Sequence, residues 1–223
     1  MYEREIHFQN RREAGRKLGE KIKKENFENP LILALPRGGV PVASEVSQML
    51  GVGLDVIIAR KIGAPGHPEF GIGAISEEST TLFNPGAEYQ FDLEGPEVKS
   101  IISEEEEELR RRLTHYRRGR KLPSLAKRTV ILIDDGLATG ATAAVAGKFL
   151  RTKSPLRLIL AVPVCPQDIN PRIREIFDEI ICLKSPPNFR AVGLWYDDFT
   201  QVEDEEVLGI LERKNPQEMN PNP

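Results

Sequence analysis

Apolar positions along this chain follow two patterns, a helical recurrence and short continuous runs, and their order carries the first information. Ala14, Leu18 and Ile22 recur every fourth position, which predicts a helix over about Asn10–Glu25, closed by the polar stretch Lys23–Asn29. Leu31–Leu35 is a continuous apolar run stopped by Pro36 and Gly38-Gly39. Helical spacing resumes over Val40–Leu50, so this stretch reads as strand, tight turn, helix. Leu54–Ala59 and Val130–Ile133 are further continuous runs, as expected of strands covered on both faces in a parallel sheet. After the second come Asp134-Asp135-Gly136, an alanine-rich helix over about Ala141–Leu150, and two more strand candidates at Leu156–Val162 and Ile180–Leu183. The alternation predicts an α/β, doubly wound parallel sheet of about five strands flanked by helices.

An insertion of about residues 63–128 separates the second and third of these units, too long for a structureless loop, so it must carry a small hood of its own. Phe70–Ile75 and Thr80–Phe83 suggest a hairpin. Leu93–Tyr116 suggests a charged helix, with Glu106, Glu107 and Glu108 each four residues before Arg110, Arg111 and Arg112. Residues 1–213 are expected to form one domain. Residues 214–223, rich in proline and asparagine, are expected to be a flexible tail.

Composition narrows the class. The chain has 223 residues, 39% apolar with 18 glycines, the ordinary globular balance, which excludes disorder throughout. Thirty-one basic against 34 acidic side chains leave a net charge of −3, so no global attraction for nucleic acid or an anionic membrane exists and any polyanion site must be local. The basic run Arg110, Arg111, Arg112, His115, Arg117, Arg118, Arg120 and Lys121 follows a glutamate run of similar size, and reads as a solvated helix face rather than an RNA groove. Cys165 and Cys182 with three histidines (His7, His67, His115) make neither a disulfide scaffold nor a zinc site. Without a secretory pattern in Met1–Arg12 or an apolar run long enough to span a bilayer, a cytoplasmic location is expected.

The chemistry concentrates in Val130–Thr142, VILIDDGLATGAT. Small residues let the backbone approach an anion, and the amides of Ala138, Thr139, Gly140, Ala141 and Thr142 at a helix start supply positive potential. The threonine hydroxyls add donors, so this loop can bind a phosphate. Asp134 and Asp135 end the strand, where open α/β sheets bind ligands, and an acid pair accepts hydrogen bonds from a vicinal diol such as ribose. Phosphate beside ribose points to a phosphoribosyl group. Arg37, Gly38 and Gly39 follow the first strand, a fixed charge beside a flexible backbone suited to pyrophosphate. Arg60 and Lys61 follow the second strand and lead into a glycine- and proline-rich stretch, Gly63–Glu69, with the composition of a lid hinge.

Val130–Thr142 resembles the phosphoribosyl pyrophosphate (PRPP) motif of type I phosphoribosyltransferases: apolar strand, two acids, Thr-Gly loop. The likeness covers Leu31 to about Phe199 and is strongest to the group carrying LALPRGGVPVA, RKIGAPG and DDGLATGAT together. It implies transfer of 5-phosphoribosyl from Mg-PRPP to a nitrogen acceptor, such as a nucleobase, with pyrophosphate released. The implied catalytic cations are Arg37, Arg60 and Lys61, the ribose ligands Asp134 and Asp135, and Mg2+ the cofactor. Phe189, Trp195 and Asp197, in FRAVGLWYDDF, are similar to the segment lying over the base in the hypoxanthine-type branch, with Asp197 at the acidic position near the metal-bound pyrophosphate. The purine-salvage branch carries a further acid where this chain has Ala138, so the loop lacks that base and the acceptor stays open. Partners implied are PRPP, a small-molecule acceptor and a second copy as a homodimer, with neither nucleic acid nor membrane. A non-catalytic PRPP or nucleotide sensor on the same fold is the alternative.

Overall fold

The computed structural model describes residues 7–214. In chain order its elements are α1 (Arg11–Lys23), β1 (Pro30–Ala34), α2 (Gly39–Leu50), β2 (Leu54–Val56), β3 (Ala59–Ala64), β4 (His67–Ser76), β5 (Thr80–Phe83), α3 (Ala87–Gln90), α4 (Pro96–Arg117), β6 (Thr129–Ile133), α5 (Ala141–Thr152), β7 (Arg157–Val164), α6 (Pro171–Ile176), β8 (Glu179–Lys184) and α7 (Asp204–Lys214). Five strands form one parallel sheet in the order β2-β1-β6-β7-β8, as the continuous apolar runs predict.

Each central strand is buried on both faces because helices cover both. Ile32, Ile131 and Ile159 face α1, α2 and α7 through Leu18, Ile22, Val42, Val46, Val207 and Leu211. Their neighbours Leu33, Leu132 and Leu160 face α5 and α6 through Ala143, Ala146, Phe149, Leu150 and Ile173. Asn10 caps α1, its side chain accepting from the Glu13 amide at 3.0 Å. At the other end of the chain, the tail expected over 214–223 lies outside the described residues, apart from Lys214, which closes α7.

The insertion departs from expectation at its entry. The run Leu54–Ala59 is not one strand. β2 ends at Val56; the Ile57 amide still donates to Ala34 O at 2.9 Å, but the Ile58 amide has turned to the Glu77 carboxylate at 3.2 Å. Arg60 and Lys61 therefore lie inside β3, the first strand of a separate antiparallel sheet β3-β4-β5, rather than at the start of a loop. The expected hinge Gly63–Glu69 is the corner of this hairpin, with Gly63-Ala64 in β3, His67 opening β4, and Gly66 at a φ of +73° that favours glycine. The hairpin over Phe70–Ile75 and Thr80–Phe83 is present, with β4 extended to ten residues.

α4 matches the expected charged helix, although Glu108 alone holds both Arg111 (2.6 Å) and Arg112 (2.7 Å). One member of its basic run is not solvated. Arg117, the last residue of α4, is buried and donates to both Glu77 oxygens at 2.7 and 3.0 Å and to Val56 O, with its Nε 3.5 Å from Asp55 Oδ1. Burial holds the Glu77 carboxyl above its ordinary range against the pull of Arg117. This cluster ties the end of β4 and the end of α4 to β2.

Candidate functional site

The order β2-β1-β6-β7-β8 reverses direction between β1 and β6, and in such sheets ligands bind beyond the carboxyl ends of the strands at that point. Ala34 and Ile133 are in register there, and the Leu35 amide donates to Ile133 O at 2.9 Å, so the loops after β1 and β6 emerge side by side. The fold thus brings Arg37-Gly38-Gly39 beside Asp134-Asp135. The Pro36–Arg37 peptide bond is cis.

Contact between the two loops sets the role of the glycines. A Cβ on Gly38 would lie 1.9 Å from Asp135 Oδ2, and one on Gly39 would lie 2.7 Å from Ile133 O. These glycines admit the aspartate loop against the loop that follows β1.

After the acids, Gly136 packs under Val192, where a Cβ would meet the valine methyl at 2.4 Å, and the Leu137 amide donates to Val164 O at 2.9 Å. With that end anchored, Ala138 and Thr139 project into solvent and Gly140, at φ +74°, turns the chain into α5. Gly140 has little room, because a Cβ would fall 2.1 Å from Ile173 Cδ1. The first turn of α5 holds no acid, so the positive potential of its amides, those of Ala141 and Thr142 among them, is uncancelled from within the helix.

The two acids differ in their surroundings. The Asp134 carboxyl accepts from the Asp135 amide at 2.8 Å and is held well above the ordinary carboxylate range by burial, and further by the charge of Asp135. Burial raises Asp135 too, but the Arg11 guanidinium opposes this from 2.8 Å. Arg11, at the start of α1, also donates to Thr200 O at 2.8 Å and stacks 3.9 Å over the Phe199 ring. The Tyr196 hydroxyl donates to Asp135 O at 2.5 Å.

The cations are each held by an acid. Arg37 Nη1 lies 3.2 Å from Glu203 and 3.8 Å from Asp204 at the start of α7. Arg60 pairs with Glu105 of α4 at 2.7 Å, and Lys61 reaches Glu69 of β4 at 3.4 Å, so their ion pairs are made within the hood. Phe189 and Trp195 pack with Phe8, Val164 and Tyr196 in a satellite apolar cluster. Asp197 stands exposed, its amide donating to Phe8 O at 2.8 Å and its carboxylate 3.6 Å from His7. A separate cavity of about 420 Å³, lined by Arg117, Lys121, Phe149 and Lys153 among others, lies at the far end of α5 from the Thr139-Gly140 loop.

Arg11, Tyr196 and Glu203 escape a reading of the sequence. Tyr196 lies in FRAVGLWYDDF, where the pattern marks aromatics without separating them. Arg11 is 124 positions from its partner and bears no local sign of it.

Comparison with known proteins agrees with the sequence motifs. Residues 5–197 match the family model described as phosphoribosyl transferase domain. Two Mycobacterium tuberculosis proteins, from strains CDC 1551 and H37Rv, are each 39% identical over 206 residues, 92% of this chain, and their names describe them provisionally as phosphoribosyl transferases. The chain spans about half the length of these curated relatives, 46%. The crystal structure of TT1426 from Thermus thermophilus is similar throughout, with a TM-score of 0.79 and 39% identity, covering 94% of this chain and 99% of that one.

Proposed function

The chain belongs to the phosphoribosyl transferase family, and from that premise we propose that it transfers a 5-phosphoribosyl group from PRPP to a nitrogen acceptor, releasing pyrophosphate. The observation that carries this reading is the placement of an acid pair and an acid-free helix start on one loop at the switch point of the sheet. The amides of residues 138–142 hold the 5-phosphate, Asp134 and Asp135 accept the ribose hydroxyls, and Arg37 meets the pyrophosphate across the crevice.

Transfer makes the ribosyl C1 oxocarbenium-like as pyrophosphate departs, so the protein's work is to hold both anionic ends, stabilise the leaving group and exclude water. Arg37 must leave Glu203 to do so. Arg60 and Lys61 act from the hood, exchanging Glu105 and Glu69 for pyrophosphate oxygens. Ala138 removes the loop base of the purine-salvage branch, so the acceptor nitrogen must arrive able to attack unaided or be deprotonated elsewhere.

Magnesium fits as an ion borne by the substrate. Among the described residues no group of three or more His, Cys, Asp or Glu side chains is placed to hold a metal. Mg2+ normally keeps waters and needs only one or two carboxylates beside phosphate oxygens, and exposed Asp197 can supply one. Bound there, the ion would neutralise charge on the departing pyrophosphate.

The test is incubation with Mg2+, PRPP and a panel of nucleobases and amines, followed for pyrophosphate. Release dependent on one acceptor class is expected. Tight PRPP binding without release for any acceptor would replace transfer with a sensor role, which the acid-neutralised Arg37, Arg60 and Lys61 of this conformation would suit. Failure to bind PRPP would overturn both.

A further inference from the structure

Asp135 is gripped from two directions, by Arg11, which lies outside every motif, and by Tyr196 of the FRAVGLWYDDF segment. Arg11 Nε holds its Oδ2 at 2.8 Å, and the two side chains are only 11% and 15% exposed. The same guanidinium reaches Thr200 O through Nη1 and lays its face on Phe199, while Tyr196, which packs on Phe199 at 5.1 Å between ring centres, holds the Asp135 carbonyl. Three segments distant in sequence, the start of α1, the acid pair and residues 196–200, thus meet on one planar cation. Lysine, a point charge without a fork or a face, does not reproduce that set of contacts. A carboxylate offers about four acceptor positions, so one bond from Arg11 leaves others for a ligand.

We propose that Arg11 is a positioning residue for ribose recognition: it fixes the orientation and charge of the Asp135 carboxylate and ties it to residues 196–200, so that a vicinal diol meets a pre-set acceptor. The inference rests on the reading of Asp134-Asp135 as ribose ligands and adds a residue that touches no substrate. Holding an acceptor in place before binding removes an ordering cost at binding, and the benefit falls on ligands that use the acceptor.

Calorimetric binding of ribose 5-phosphate, 2-deoxyribose 5-phosphate and inorganic phosphate tests it without knowledge of the acceptor. The wild-type protein should prefer the ribose ligand. Arg11→Ala should weaken ribose 5-phosphate about tenfold, the scale of one charge-assisted hydrogen bond, weaken 2-deoxyribose 5-phosphate less, because only one hydroxyl of the diol remains there, and leave inorganic phosphate unchanged, so that discrimination narrows. Arg11→Lys, which keeps the charge and guards against misfolding of the alanine variant, should recover only part. In an Asp135→Asn background Arg11→Ala should cost nothing further. Equal weakening of all three ligands would make Arg11 merely structural, and tighter ribose binding would make it a competitor for Asp135; either overturns the inference. A wild-type protein that binds phosphate but does not distinguish ribose from deoxyribose would instead overturn the ribose assignment itself.

Discussion

Gly38 faces Asp135 so closely that a Cβ at residue 38 would stand 1.9 Å from the carboxylate Oδ2. The backbone there, φ −61° and ψ −33°, suits any residue, so contact alone demands glycine. Gly38→Ala must expel the carboxylate from Arg11 or part the two loops. A loss of about 1–3 kcal/mol is expected, read as a lower urea midpoint at unchanged slope, together with weaker ribose 5-phosphate binding.

Asp134 should show function set against stability. An acid whose folded pKa is raised favours the fold only while protonated. Its contribution is complete below the unfolded value of about 3.9 and is lost as pH rises through the folded value. Above the unfolded value the group therefore weighs against the fold. Asp134→Asn keeps the acceptor for the Asp135 amide and should stabilise the protein by about 1 kcal/mol at pH 7. The gain should shrink towards pH 4 in denaturation experiments, and PRPP binding should be lost at both values.

The Arg117–Glu77–Asp55 cluster should be among the costliest places to break. Arg117→Ala leaves two buried acids around an emptied site, and removal of one partner from a buried ion pair costs about 3–5 kcal/mol. Urea unfolding at pH 7 measures this. A loss below about 1 kcal/mol, the value of a surface pair, would show that water reaches the cluster.

Glu203 should restrain Arg37. Its carboxylate is 61% exposed and 3.2 Å from the guanidinium, so the pair is weak, but it must open before Arg37 can meet pyrophosphate. Glu203→Gln should tighten pyrophosphate binding by about two- to fivefold, the scale of an exposed ion pair. The effect should fade with added salt, and unchanged affinity would separate Arg37 from pyrophosphate.

The signals legible in the sequence are local. The runs at Leu31–Leu35 and Val130–Ile133 announce strands covered on both faces, and the small residues after Asp135 announce a loop opening a helix, because each signal depends on neighbours a few positions away. The end of β2 was less legible: Leu54–Ala59 is uniformly suited to a strand, and the division at Val56 comes from Glu77 and Ser76 capturing the backbone of Ile58. Arg117 looked like its neighbours in a solvated basic run, and Arg11 like any residue in the first turn of an amphipathic helix.

By itself, then, the order of apolar and small residues determined the parallel sheet, the small-residue loop that opens a helix and the acid pair at a strand end. Only the tertiary structure decided which charges are buried, which are neutralised and by whom: Arg11 with Asp135, Arg117 with Glu77, Arg37 with Glu203. Apolar burial is additive and non-directional, so its periodicity is written along the chain. The state of a charge depends on partners and solvent within a few ångströms, and those are assembled from residues that only folding brings together.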